Sequence, residues 1–177
     1  MIARILILLA VAIVAIIIII AMRPPTFRVE RSATINAPPA AVFAEVNNLH
    51  NWEAWSPWAK LDPNAKNTYS GPAEGVGADF AWDGNKNVGA GRMTITQSKP
   101  VELIAIDLQF YRPFAATNRT EFTFTPEGSG TRVTWAMSGR NGFLGKAVGL
   151  VVDCDKMCGQ MFEKGLRQLN TACEAKK

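Results

Sequence analysis

The sequence predicts an α+β protein that follows one long apolar helix. Three observations predict it. An uninterrupted apolar run lies near the N-terminus, a series of short segments alternates apolar and polar residues with period two, and a final stretch repeats its apolar residues every three to four positions. Strand, helix, several strands and a long helix in that order suit an antiparallel sheet with helices on one face.

The apolar run, Ile5 to Met22, is 18 residues without a charge, proline or glycine. At 1.5 Å per residue it reaches about 27 Å, close to the hydrocarbon thickness of a bilayer. It has no polar face, which excludes a water-soluble amphipathic helix. A cleaved secretory signal would have a shorter apolar stretch and a small-x-small site behind it. Here five isoleucines, Ile16 to Ile20, lead into Met22, Arg23, Pro24 and Pro25, so the reading is a retained membrane anchor. Arg4 precedes the helix and Arg23, Arg28 and Arg31 follow it. That near balance leaves the side of the membrane open. The expected organisation is residues 1–25 as anchor and exit, and residues 26–177 as one soluble domain.

Phe27 to Ile35 alternates with β-branched residues and reads as the first strand. Asn36, Ala37, Pro38 and Pro39 stop it and open a helix to about Asn48, because proline suits a helix's first turn. Trp52, Trp55 and Trp58 follow within seven residues. Short strands come next: Asn67 to Gly71, Gly77 to Trp82 with a hairpin-type turn at Asp83, Gly84 and Asn85, and Gly91 to Ser98. Val101 to Phe110, Ala116 to Pro126 and Thr131 to Met137 complete about seven strands, joined late by connections short enough for an antiparallel meander. Phe143 to Val152 is an apolar helical stretch relieved only by Lys146. It reads as a packed helix, a gate or a surface touching a bilayer. The last helix runs to about Ala175 with Met157, Met161, Phe162, Leu166 and Leu169 on its apolar stripe.

Composition narrows the function. Setting Arg4 aside leaves 18 basic against 15 acidic residues, a dispersed excess of about +3 that does not suit a nucleic-acid surface. One histidine, His50, excludes a metal site built on several histidines, and no G-x-S-x-G motif accompanies it. No metal and no cofactor is expected. Cys154, Cys158 and Cys173 match no zinc or redox spacing and read as small buried apolar side chains. Gly71, Gly75 and Gly77 lie between strands, where turn geometry explains them better than a phosphate cradle. Asp107, Glu121 and Arg119 fall on strands and face either solvent or a pocket, so no catalytic residue is assigned.

The aromatic and methionine side chains are more informative. Trp52, Trp55, Trp58, Phe80, Trp82, Met93, Phe122, Phe124, Trp135, Met137, Met157 and Met161 are spread over all these elements. They fill a core or line an irregular apolar cavity. Core filling is the ordinary reading of such side chains; three indoles in one short connector must cover something, which strengthens the case for a cavity.

Several stretches together resemble a known family. Arg28-Val-Glu-Arg-Ser-Ala-Thr-Ile-Asn-Ala-Pro-Pro39 followed by Ala41-Val-Phe-Ala-Glu-Val-Asn-Asn-Leu-His-Asn-Trp52 resembles the opening of the START-like (SRPBCC, Bet v 1-like) superfamily. Trp52-Glu-Ala-Trp-Ser-Pro-Trp-Ala-Lys60, Gly91-Arg-Met-Thr-Ile95 and Thr117-Asn-Arg-Thr-Glu-Phe122 are similar to its bacterial polyketide cyclase/dehydrase-type branch. So are Gly130-Thr-Arg-Val-Thr-Trp-Ala-Met-Ser-Gly139 and Phe162-Glu-Lys-Gly-Leu166. The resemblance implies a helix-grip fold, a curved antiparallel sheet of about seven strands around the C-terminal helix with a hydrophobic tunnel between them. It implies an apolar or lipid-like guest, with Trp52, Trp55, Trp58, Phe80, Trp82, Met93, Phe122, Trp135, Met137, Met157 and Met161 as candidate contacts. Two alternatives follow from relatives. One is a cyclase or dehydratase using His50, Asp107, Arg119 or Glu121 in the tunnel; the other is a protein-interaction module, which would expose an apolar patch.

Overall fold

The computed structural model describes residues 2–176. Helix α1, Ile2–Met22, is long and apolar enough to cross a membrane, and among its described residues Ile20 alone is buried. After Arg23 and two prolines the chain enters β1, Thr26–Ile35. Pro38 and Pro39 start α2, Pro39–Asn47, where the missing amide protons have no intrahelical partner to lose. A 3₁₀ turn, Leu49–Asn51, leads into the short α3, Trp52–Trp55. Six strands follow: β2 Lys66–Ser70, β3 Asp79–Asp83, β4 Ala90–Lys99, β5 Leu103–Arg112, β6 Ala116–Glu127 and β7 Gly130–Arg140. Helices α4, Phe143–Val148, and α5, Cys154–Glu174, close the chain.

The strands form one antiparallel sheet in the order β1-β7-β6-β5-β4-β3-β2. The last helix lies along β1 and touches α2 and α3, so the helices share one face, as a helix-grip fold requires. Alternation sorts the side chains. Ile95, Ile106, Thr120 and Met137 form one row across the inner face, and Ile104, Phe122 and Trp135 form the next. Behind them Phe162, Leu166, Leu169 and Cys173 of α5 are buried. Gly165 lets the helix approach: a Cβ there would lie 2.6 Å from Cζ3 of Trp135.

Two expectations about local structure change. The link from β3 to β4 spans residues 84–89 and folds on itself, with the Gly84 amide donating to the Gly89 carbonyl at 2.9 Å. It is thus longer than a hairpin-type turn at Asp83 to Asn85. The stretch from Phe143 to Val152 is not a packed helix, since no residue of α4 is buried and Leu144 and Val151 are 75% and 90% exposed. The inner face of the sheet is already covered by α2, α3 and α5, and α4 lies against α1 instead.

The outer face of the sheet is polar and ion-paired. Asp79, Thr94, Asp107, Arg119, Ser138 and Arg28 succeed one another across the strands. Buried Asp79 accepts from Arg92 Nε at 2.6 Å, Thr94 Oγ1 at 2.6 Å and Ser70 Oγ at 3.1 Å. Burial alone would raise its pKa, but these hydrogen bonds and the Arg92 charge together hold it below the usual carboxylate range. The unfolded chain, with a pKa near about 3.9, therefore binds the proton more tightly. This contribution to stability is complete above that value and drains away as pH falls through the folded pKa. Asp79→Asn is expected to cost about 1–3 kcal/mol at neutral pH, toward the lower end because Arg92 is half-exposed. The variant should also lose part of the acid sensitivity, measured as urea midpoints between pH 3 and 7, the span covering about the carboxylate range.

Candidate functional site

Between the sheet's inner face and α5 lies a cavity of about 670 Å³, within the roughly 300–1,000 Å³ range of small-molecule sites. Its floor is two rows of the sheet. Tyr69, Phe80, Met93 and Leu108 make one, and Ile106, Thr120 and Met137 the other. Trp82 and Phe110 flank the outer end, their rings 5.9 Å apart and edge to face. The roof comes from Trp52, Trp58, Cys158 and Phe162.

The deep end is closed by aromatic stacking. Trp135 lies parallel to Phe162 with ring centroids 4.3 Å apart, and Trp52, Trp55 and Trp58 meet it edge to face at 5.8 to 6.2 Å. The connector holds its own indoles in place: Trp52 Nε1 donates to the Val46 carbonyl at 2.9 Å and Trp55 Nε1 to the Glu45 carbonyl at 3.3 Å. Buried indole N–H groups thus find partners on the preceding helix while the rings face the cavity or the core. The Trp135 N–H has no partner among the described residues.

The register places the mouth of the cavity at one end of the sheet. Thr26 faces Arg140, Phe110 faces Ala116, Arg112 faces Ala90, and Ala90 and Lys66 both face Asp83. This is the end where β1 begins, four residues after α1. The loops at this end, with Lys60, Asp62, Lys86, Asn87, Arg112 and Pro113, form the rim. Gly89 has φ +65°, and a Cβ there would overlap the Arg112 carbonyl, so two rim loops meet because this residue is glycine.

Of the candidate contacts, Trp52, Trp58, Phe80, Trp82, Met93, Trp135 and Met137 line the cavity. Trp55 and Phe122 are wholly buried in the core behind the lining. Met161 is half-buried outside the lining, and Met157 is 54% exposed. Met157 precedes Cys158 by one residue, about 100° around the helix, which turns it off the stripe that faces the sheet. Sequence reasoning missed Tyr69, Leu108 and Phe110, whose alternation on their strands was the available signal. It also missed Cys158. Cys173 is buried, Cys158 half-buried on the cavity wall, and Cys154 exposed, so the expectation of three buried thiols is corrected: Cys154 stands in the first turn of α5, outside the cavity lining. Burial, with Cys154 and Asp155 nearby, raises the Cys158 pKa and keeps it a thiol at neutral pH.

The polar candidates lie elsewhere. The inner rows contain Ile106, Leu108 and Thr120, so Asp107, Arg119 and Glu121 belong to the outer face. There Arg119 Nε donates to Glu121 Oε1 at 2.8 Å, and Arg28 stands 3.8 Å from Glu121. His50 is exposed and stacks on Tyr69 at 3.9 Å, outside the main cavity. The titratable groups that do line the cavity are Tyr69, Cys158 and rim residues such as Glu53, Lys60, Asp62, Lys86 and Arg112. Among the described residues no His, Cys, Asp or Glu cluster is arranged to hold a metal.

An antiparallel sheet gripping a C-terminal helix over an apolar hollow defines the Bet v 1-like, helix-grip class. The chain belongs to the polyketide cyclase/dehydrase and lipid transport family, whose model matches residues 26–174. Solved structures share the fold at low identity. Protein CV1439 from Chromobacterium violaceum is 16% identical, with a TM-score of 0.59 over 86% of this chain and 99% of that one. The Aha1 dimer from Colwellia psychrerythraea is 17% identical, with a TM-score of 0.60 over 84% and 96%. Ara h 8.0201 is 12% identical, with a TM-score of 0.54 over 85% and 96%. No curated protein matches the sequence.

Proposed function

We propose that residues 26–177 bind one apolar or lipid-like small molecule in the cavity, and that α1 anchors the chain in a membrane beside a supply of such molecules. The observation that carries this reading is the lining: aromatic rings, methionines and aliphatic side chains around about 670 Å³, with charged groups only toward the rim. Each 100 Å² of guest surface taken from water would contribute about 2.5 kcal/mol. Trp52, Trp58, Phe80, Trp82, Met93, Trp135 and Met137 are the side chains such a guest would touch. The family description, which includes lipid transport, supports the same reading. A cyclase or dehydratase has less support, because the polar residues first suspected of that chemistry lie outside the cavity.

Cys158 offers the test. It lies on the cavity wall, whereas exposed Cys154 one turn away does not. Saturating the full-length chain with a fatty acid such as cis-parinaric acid is expected to slow alkylation of Cys158 several-fold and leave Cys154 unchanged, read by peptide mass spectrometry. Equal Cys158 rates with and without the fatty acid would argue against an occupied cavity.

A further inference from the structure

The cavity mouth and the start of β1 lie at the same end of the sheet, and the exposed apolar side chains outside α1 concentrate there. Phe114, at the β5–β6 link next to rim residue Pro113, is 74% exposed. Phe143, Leu144, Val148, Leu150, Val151 and Val152 are all exposed between β7 and α5. The far end, at the β2–β3 and β4–β5 links, exposes only Val76 and Val101 among large apolar residues of the described loops. Helix α4 is in contact with α1: Lys146 Nζ donates to the Ala21 carbonyl at 3.2 Å, and the Arg23 guanidinium lies beside Gly149. The apolar surface is therefore continuous with the proposed anchor at its point of exit.

Charge follows the same axis. Lys60, Lys66 and Lys86 at this end are exposed and lie outside the ion pairs. Of the acidic groups beside them, Glu53 is exposed and outside the ion pairs, and four others are engaged within the protein. Asp83 pairs with Arg112, Asp155 pairs with Arg31, Asp62 accepts from the Asn85 amide, and Asp153 caps α5. A ring of apolar side chains with free lysines around it is the composition of a surface that settles into a lipid headgroup layer.

We infer that the mouth of the cavity, with Phe114, Leu144 and Val151 beside it, docks on the bilayer from which α1 emerges, so that a guest passes between leaflet and cavity without crossing bulk water. The inference rests on the anchor reading above and adds the orientation of the domain. The occupant is the lipid bilayer, because the apolar patch begins where the membrane-crossing helix ends.

Photo-crosslinking of the full-length chain tests it. The benzophenone amino acid replaces Phe114, Leu144 or Val151, with Val76 and Val101 as far-end controls and Ile13 as the anchor control. The variants are reconstituted in vesicles of phosphatidylethanolamine and phosphatidylglycerol, irradiated and weighed by mass spectrometry. Phospholipid adducts at Phe114, Leu144 and Val151, several-fold above Val76 and Val101 and alongside strong adducts at Ile13, are the expected result. Adducts at Ile13 with Phe114, Leu144 and Val151 no higher than the controls would overturn the docking and leave the anchor standing. Absence of adducts at Ile13 would overturn both. Protein–protein adducts at Phe114 or Val151 would reassign the patch to a protein partner.

Discussion

Trp135→Ala is expected to destabilise the protein by about 3–5 kcal/mol, the largest single effect in the inner layer. Trp135 sits where sheet, connector and last helix meet, stacked on Phe162 and touched edgewise by Trp52, Trp55 and Trp58. Removing the ring opens a void that joins the existing cavity, so neighbours cannot close over it. The indole N–H has no partner among the described residues, so the loss is packing and not a hydrogen bond. Trp135→Phe should therefore recover most of the stability. Equilibrium denaturation of the two variants separates these expectations; a Phe variant as unstable as the Ala variant would mean that the N–H, and not the ring, matters.

The second large effect concerns binding. Leu108 stands mid-floor, half-buried and facing the hollow, with Met93 and Asn118 as its cross-strand partners. Leu108→Trp puts a large ring into empty space. It is expected to weaken binding of an apolar fatty acid at least about tenfold, or 1.4 kcal/mol, while changing stability by less than about 1.5 kcal/mol because the ring enters a void rather than a filled core. One residue earlier, Asp107→Asn changes the outer face and should leave binding unaltered. The paired variants make parity along one strand the variable. Loss of binding in both, or in neither, would contradict the assignment of faces.

Much of this fold is legible in the residues. Alternation from Phe27 to Ile35 and from Met93 onward marks strands, prolines mark where β1 stops and α2 starts, and the spacing of Phe162, Leu166 and Leu169 marks the helix that packs on the sheet. Period two separates two faces without saying which one meets a helix. Strand β5 is apolar on both, with Leu103 and Ala105 opposite Ile104 and Ile106, so Asp107 could not be placed until the register was known. Helical spacing has the same limit near its ends. Met157 and Cys154 fit the apolar spacing of α5, but Met157 lies about 100° from Cys158, which faces the hollow, and Cys154 stands in the first turn; both are exposed. The apolar character of Phe143 to Val152 suggested burial among other readings, and only the finished layers leave it without a core to join. That the cavity opens where α1 exits is a property of strand order, which no local pattern encodes.

The proposed function requires that a greasy hollow under α5 accept one guest. Native mass spectrometry of the full-length chain, equilibrated with a natural lipid mixture and released from its detergent micelle, addresses it most directly. One lipid retained per chain, and displaced by Leu108→Trp, is the predicted spectrum. A chain seen only at its own mass, whatever lipid is offered, would contradict the account.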